Sequence, residues 1–245
     1  MTQFMSNLKN LEYLFHQAKI TSILILLNVA WFVISHLLDS RAFMNYTEMA
    51  FLIDWGADVS LLTFSGEYWR LLTNIFVHAG LTHLAMNMLA LWSVGIILER
   101  LIPPFAFIGI YLLSGLFGSL ASDISTLHHS VVSCGASGAI LGIITALLAY
   151  SLINRTDLQQ MPIKSIVVSL ILTAGLGLLP SIDNMAHIGG AVSGFILGGL
   201  VTICLKKFRY QSQIYTKLIL LLFAISCLLL YLLYRYYQGI GGFHY

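Results

Sequence analysis

Long apolar runs, separated by short polar or proline-marked breaks, dominate this chain. Seven of them reach the length of a membrane-crossing helix: roughly residues 20–38, 82–99, 105–122, 136–152, 163–179, 186–205 and 216–237. A hydrocarbon core of about 30 Å takes about 20 mostly apolar residues per helix. Pro103-Pro104 separates the second run from the third, and 154–162 the fourth from the fifth. Residues 180–184 part the fifth and sixth, and 206–217 the last two. The pattern predicts an all-α, polytopic membrane helix bundle. Residues 1–19 are expected to form a short cytoplasmic segment. Residues 20–205 form a six-helix unit, and 206–245 a basic linker with a seventh helix.

Residues 39–81 interrupt this rhythm. They form a long connection holding Tyr46, Trp55, Tyr68 and Trp69 among short apolar runs. Connections of such length without a function are uncommon. Aromatics of this kind favour the membrane interface, so a partly inserted loop along the outer leaflet is expected.

Composition agrees with the pattern. Of 245 residues, 58% are hydrophobic and 9% charged, against roughly 25% charged in soluble domains. A net charge of +2 gives no footing for nucleic acid. The three cysteines, Cys134, Cys204 and Cys227, have no paired spacing, and neither a disulfide framework nor a cofactor is expected. The first 19 residues lack arginine and no small-residue cleavage site follows the first run, so neither a transit nor a signal peptide is expected. Lysine and arginine set the orientation. With the N-terminus inside, nine lie on inner segments (Lys9, Lys19, Arg100, Arg155, Lys164, Lys206, Lys207, Arg209, Lys217) and three outside (Arg41, Arg70, Arg235). The positive-inside rule then puts the N-terminus inside and the C-terminus outside.

Almost no acidic or basic residue falls within the spans, which argues against an ion path. A Ser/His/Asn group remains. His83 and Asn87 lie near the start of the second span, Ser137 at the start of the fourth and His187 at the start of the sixth. Those spans run in one direction, so the four residues share one depth near the outer face. Ser137 sits in Gly135-Ala136-Ser137-Gly138 at a helix N-terminus, where free N–H groups and the helix dipole favour a developing oxyanion. A serine hydroxyl needs an adjacent base, and His187 is the candidate. His83 and Asn87, four apart, project from one helix face and are suited to donate to the same oxyanion. Gly138 and Gly142 on one span, and Gly190, Gly194 and Gly198 on another, recur every four residues. Such small-residue faces let helix backbones approach closely.

Together these residues resemble the rhomboid family of intramembrane serine proteases. The matching pieces are Trp69-Arg70, His83-Leu84-Ala85-Met86-Asn87, Glu99-Arg100, Gly135-Ala136-Ser137-Gly138, and Ala186-His187-Ile188-Gly189-Gly190 continuing to Gly194. They cover roughly residues 65–200 in the family's order. The resemblance implies a six-helix core with one further C-terminal helix, and a Ser137–His187 dyad without a third acid. It also implies a water-accessible cavity above a short fourth helix. Ser137 would attack a peptide bond near the outer end of a transmembrane substrate, with His187 as base and then acid. The Ser137 N–H, His83 and Asn87 would hold the oxyanion. Partners would be transmembrane protein substrates and the lipid bilayer, in a bacterial inner membrane. Leu141 stands where some members carry a tyrosine stacked on the catalytic histidine.

Plainer roles are weighed beside these. Arg70 and Trp69 are expected to anchor the loop through lipid phosphate and interfacial ring placement. Glu99 and Arg100 brace the inner end of the second span. Asp183, four residues before His187, is assigned to a solvated turn in preference to a third triad position. His78, His128 and His129 lack metal-site spacing. The competing functions are a catalytically inactive rhomboid-like protein that binds membrane clients, and a transporter, which would require inverted repeats or broken helices at mid-membrane.

Overall fold

A computed structural model of the chain describes residues 18–39, 49–126, 131–155, 163–174 and 183–208, with scattered positions between 217 and 235. The regular elements among the described residues are all helices, with one isolated antiparallel bridge, Asp58 to Ser133. In chain order the helices are α1 (Lys19–Leu38), α2 (Met49–Asp54), α3 (Ser60–Phe64), α4 (Arg70–Thr73, continued by a 3₁₀ turn Asn74–Phe76), α5 (Leu81–Glu99), α6 (Pro104–Ser125), α7 (Ser137–Asn154), α8 (Ile163–Ala174) and α9 (Asn184–Phe208). Five of these, α1, α5, α6, α7 and α9, are long and apolar enough to cross a membrane. The fifth expected span appears as the shorter α8, and residues 175–182 lie outside the described part. The seventh, 216–237, also falls mostly outside it.

Local chemistry sets the helix ends. Pro104 opens α6, where a missing N–H costs nothing because the first helical N–H groups have no intrahelical acceptor. Arg155, at φ 54°, closes α7 and returns its N–H to Leu152 and Ser151. The start of α1 is capped from a distance. The Glu99 carboxylate, at the end of α5, accepts the N–H groups of Ile20 and Thr21 at 2.8 Å each and the Thr21 hydroxyl at 2.7 Å. An anion at a helix N-terminus meets both the free N–H groups and the dipole. Gly95, one turn earlier in α5, leaves room for the Thr21 side chain.

The most enclosed of the five long helices is α6. It packs against both α7 and α9, which also meet each other, while α5 contacts α1 and α8. Phe107, Tyr111, Leu91, Val94, Ile140, Ile143 and Leu147 form the fully buried centre, where the Asn28 amide donates to the Tyr111 hydroxyl. The outward faces are apolar instead of polar. Leu26, Leu27, Ile34 and Leu37 on α1, and Ile188, Val192 and Ile196 on α9, are all exposed, as a lipid-facing surface requires.

The connection before α5 is a folded unit. Residues 40–48 lie outside the described part, but 49–80 form α2 to α4 and pack through Phe51, Leu52, Ala57 and Val77. Arg70 does not reach for lipid phosphate. Its side chain is buried and donates to the carbonyls of Ile53 (2.6 Å) and Ala57 (2.8 Å) and to Glu67 Oε2 (2.7 Å). The guanidinium is taken up by acceptors within the loop, and so turns inward. Trp69 is half exposed, with the Arg70 guanidinium 4.4 Å from its ring centroid.

The Glu99 clasp is open to test. Glu99→Ala is expected to lower the unfolding free energy in micelles by about 2 kcal/mol, the range for hydrogen bonds to a charged group, and Glu99→Gln by less. An unchanged denaturation midpoint for Glu99→Ala would show that the clasp does not hold α1.

Candidate active site

The site begins with a helix contact. Along α7 and α9 the close pairs are Gly138 with Gly190, Gly142 with Gly194, and Ala146 with Gly198. The register is constant, so the two helices run parallel and their N-termini lie at one end. A methyl group on Gly190 or Gly194 would collide with the backbone of the facing glycine. Thr145 ties the seam by donating to the Ala191 carbonyl at 2.7 Å. A third helix closes on the same point. A Cβ at Gly118 of α6 would stand 2.7 Å from the Ala186 carbonyl, and one at Gly138 of α7 would stand 3.1 Å from it. The backbone just before His187 is therefore gripped from two sides.

At that end Ser137 Oγ and His187 Nε2 lie 2.7 Å apart. Both residues are half-buried. Ser137 is the first residue of α7, and the first helical bond runs from the Ile140 N–H to the Ala136 carbonyl. This leaves the N–H groups of Ser137, Gly138 and Ala139 without intrahelical acceptors. Leu141, one turn on, is buried, and among the described residues no aromatic ring stacks on His187.

The start of α9 is made by Asp183, which is not a free turn residue. Its Oδ1 accepts the Ala186 N–H at 3.0 Å as a helix cap, and its Oδ2 is buried without a hydrogen-bond partner. No hydrogen bond joins it to the His187 ring. The aspartate before an apolar run was the signal that identifies it as a cap.

His83 and Asn87 face the same place from α5. Gly135, with φ +115°, turns its open face to them. A Cβ there would stand 2.7 Å from His83 Cε1 and 2.8 Å from His83 Nε2, with Asn87 Nδ2 at 3.8 Å. A side chain at Gly135 would thus be both strained and obstructed. Asn87 is buried and uses one amide hydrogen on the His83 carbonyl at 3.0 Å, leaving the second. His78 packs edge-on against His83, with centroids 5.1 Å apart, and burial pushes its pKa down to about 3. It is a neutral packing partner. His128 and His129 lie outside the described residues, and among those described no group of three His, Cys, Asp or Glu side chains is placed to hold a metal.

A cavity of about 660 Å³ adjoins the pair, lined by Ser137, His187, His83, Gly135, Ser119 and Asp183 among others. Its lining mixes these polar groups with apolar side chains such as Leu52, Ile75 and Met185. The arrangement couples a hydroxyl, a proton acceptor and free N–H donors around one space. That is the equipment for acyl transfer.

Comparison with known proteins points the same way. A family model described as "Rhomboid domain" matches residues 65–204. The chain is 39% identical over 178 residues to "Rhomboid protease GluP" of Bacillus subtilis (strain 168), covering 72% of this chain and 34% of that protein. It is 31% identical over 220 residues to "Rhomboid protease AarA" of Providencia stuartii, covering 79% and 76%. Against "RHOMBOID-like protein 4" of Arabidopsis thaliana it is 41% identical over 153 residues, covering 60% and 38%. The chain therefore spans about a third of the length of the Bacillus and Arabidopsis relatives.

The glycine seam predicts a contrast within one helix. Gly194→Ala places a methyl against backbone that cannot yield, so it is expected to cost at least the roughly 1–3 kcal/mol typical of overpacking. Gly199→Ala, whose Cβ would stand 3.7 Å from Ile153 Cδ1, is expected to be neutral or slightly stabilising. Equal melting temperatures for the two variants would contradict the seam.

Proposed function

The chain belongs to the rhomboid family, a family of intramembrane proteases, and on that premise we propose that it is an active serine endopeptidase working by a Ser137–His187 dyad. The observation that carries the reading is the 2.7 Å approach of Ser137 Oγ to His187 Nε2 at the N-terminus of α7.

In the proposed reaction Ser137 Oγ attacks the carbonyl carbon of a scissile peptide bond while His187 Nε2 takes the hydroxyl proton. The carbonyl oxygen becomes an oxyanion facing the Ser137 N–H, with the His83 ring and the second Asn87 amide hydrogen as further donors. Collapse breaks the C–N bond, and His187 passes its proton to the departing amine. Water then enters and attacks the acyl-serine as it gives a proton to His187; collapse breaks the C–Oγ bond, His187 returns that proton to Ser137 Oγ, and the new C-terminal acid leaves. No third acid is assigned. Asp183 is spent on capping α9, and backbone contacts at Gly118 and Gly138 orient the imidazole in its place.

Trp69, Arg70, Glu99, Gly190, Gly194 and Gly198 are proposed as structural support. The substrate proposed is the transmembrane segment of another membrane protein, cut near its outer end. The topology proposed is six helices plus one, N-terminus inside and C-terminus outside, on the lysine and arginine distribution. The bacterial inner membrane is the proposed setting, in keeping with the two bacterial relatives.

The test is cleavage of a single-span substrate in proteoliposomes. Ser137→Ala is expected to abolish product. Asn87→Ala is expected to lower kcat by about 10²–10³, the usual loss for one oxyanion donor. Equal cleavage by Ser137→Ala rejects the nucleophile. Retention of the substrate without any cleavage by the wild-type protein selects the inactive, client-binding alternative.

A further inference from the structure

One buried carboxylate close to the site has no part in the chemistry above. Asp58, in the connection between α2 and α3, has no exposed surface. Its backbone pairs both ways with Ser133, donating N–H to the Ser133 carbonyl at 2.8 Å and accepting the Ser133 N–H at 2.9 Å. Oδ1 of its carboxylate accepts the Thr63 hydroxyl, and Oδ2 accepts the Asn74 amide at 3.3 Å.

Asn74 extends the chain of bonds. Its side chain also donates to Ser119 Oγ at 2.7 Å, and its backbone carbonyl accepts the Gly135 N–H at 2.9 Å. Gly135 is the left-handed residue beneath His83, two positions before Ser137. Both ends of the segment 133–135 are thus tied to the first outer connection, one directly to Asp58 and the other through Asn74.

This is an expensive way to hold a loop. An ionised carboxylate pays heavily for burial. Desolvation pushes the Asp58 carboxyl well above the usual range, the negative charge of Asp183 adds to the push, and the Thr63 hydrogen bond and the Arg70 guanidinium only partly offset it. A neutral residue would hold the same backbone bridge at lower cost. What a carboxylate adds is the ability to accept two donors that converge from opposite sides, Thr63 and Asn74. Residues that break stability rules in this manner mark functional positions.

We propose that Asp58 is a positioning residue for the reaction above, acting through Asn74 and Ser133 to set where Gly135 and Ser137 lie beneath His83 and Asn87. It touches no reacting atom. The proposal rests on the serine-protease reading, but its structural half can be measured without it.

The experiment uses the full chain and three variants, Asp58→Asn, Asn74→Ala and the double variant. Asp58→Asn removes a buried charge, so the fold has no electrostatic reason to weaken. Steady-state cleavage of a single-span substrate is expected to show kcat lower by about tenfold in Asp58→Asn, since small misplacement of reacting groups is costly. KM is expected to stay within about twofold. The double variant is expected to be no slower than the slower single one, because both act through one chain of bonds. A kcat for Asp58→Asn within about twofold of wild type, or a double-variant effect equal to the product of the single effects, overturns the proposal. Hydrogen exchange of the 133–137 amides supplies the independent measure. It is expected to accelerate in Asp58→Asn and in Asn74→Ala, and unchanged exchange in both overturns the proposal whatever the activity. Should Asp58→Asn not fold, Asn74→Ala, which leaves the carboxylate in place, carries both measurements. Undiminished cleavage by Ser137→Ala would instead remove the serine reading, with the exchange result still deciding the role of Asp58.

Discussion

Everything at the site depends on two helix backbones lying closer together than side chains normally permit. In lipid no hydrophobic force drives helices together, because acyl chains are as apolar as leucine. Association must come from close packing and interhelical hydrogen bonds. Glycine at Gly190, Gly194 and Gly198, facing Gly138, Gly142 and Ala146, removes the Cβ atoms that would hold α7 and α9 apart. Thr145 adds one polar tie. Because the pairing keeps constant register, the helices start at the same end. A hydroxyl on the first residue of one then meets an imidazole on the first turn of the other. No loop has to deliver either group.

The loops serve the third component. In the proposed reaction the oxyanion needs donors besides the Ser137 N–H, and the side chains proposed for this, His83 and Asn87, come from α5, against the open face of Gly135. The positive φ of Gly135 and its lack of a side chain let the His83 ring lie directly against it. The segment holding Gly135 is fastened to the connection between α1 and α5 instead of being left free, and Arg70 stiffens that connection from within by occupying two of its carbonyls. A scaffold of long helices carries Ser137 and His187, and the braced connection before α5 holds the turn at Gly135 beside them.

Much of the fold was legible in apolar runs alone. The second, third, fourth and sixth expected spans match α5, α6, α7 and α9 to within about three residues, the usual uncertainty of helix ends. The four-residue glycine spacing was enough to suggest which helices meet. Long-range polar partnerships were not legible. Nothing in the run Leu98-Glu99-Arg100 indicates that the carboxylate caps a helix 78 residues earlier, and nothing near Arg70 indicates an inward turn. Hydropathy records whether a residue avoids water, but not which distant group it meets. Asp183 is an intermediate case. Its capping role was visible in principle, since aspartate is a favoured residue before a helix, although the expectation of a solvated turn did not include it.

The central claim is that Ser137 is an activated nucleophile and that His187 activates it. Labelling of the folded, full-length protein with a serine-reactive fluorophosphonate, followed by peptide mapping, tests this directly. The account predicts a single adduct on Ser137 Oγ in the wild-type protein and its loss in a folded His187→Ala variant. An adduct on another residue, or labelling of Ser137 at the same rate without His187, would contradict it.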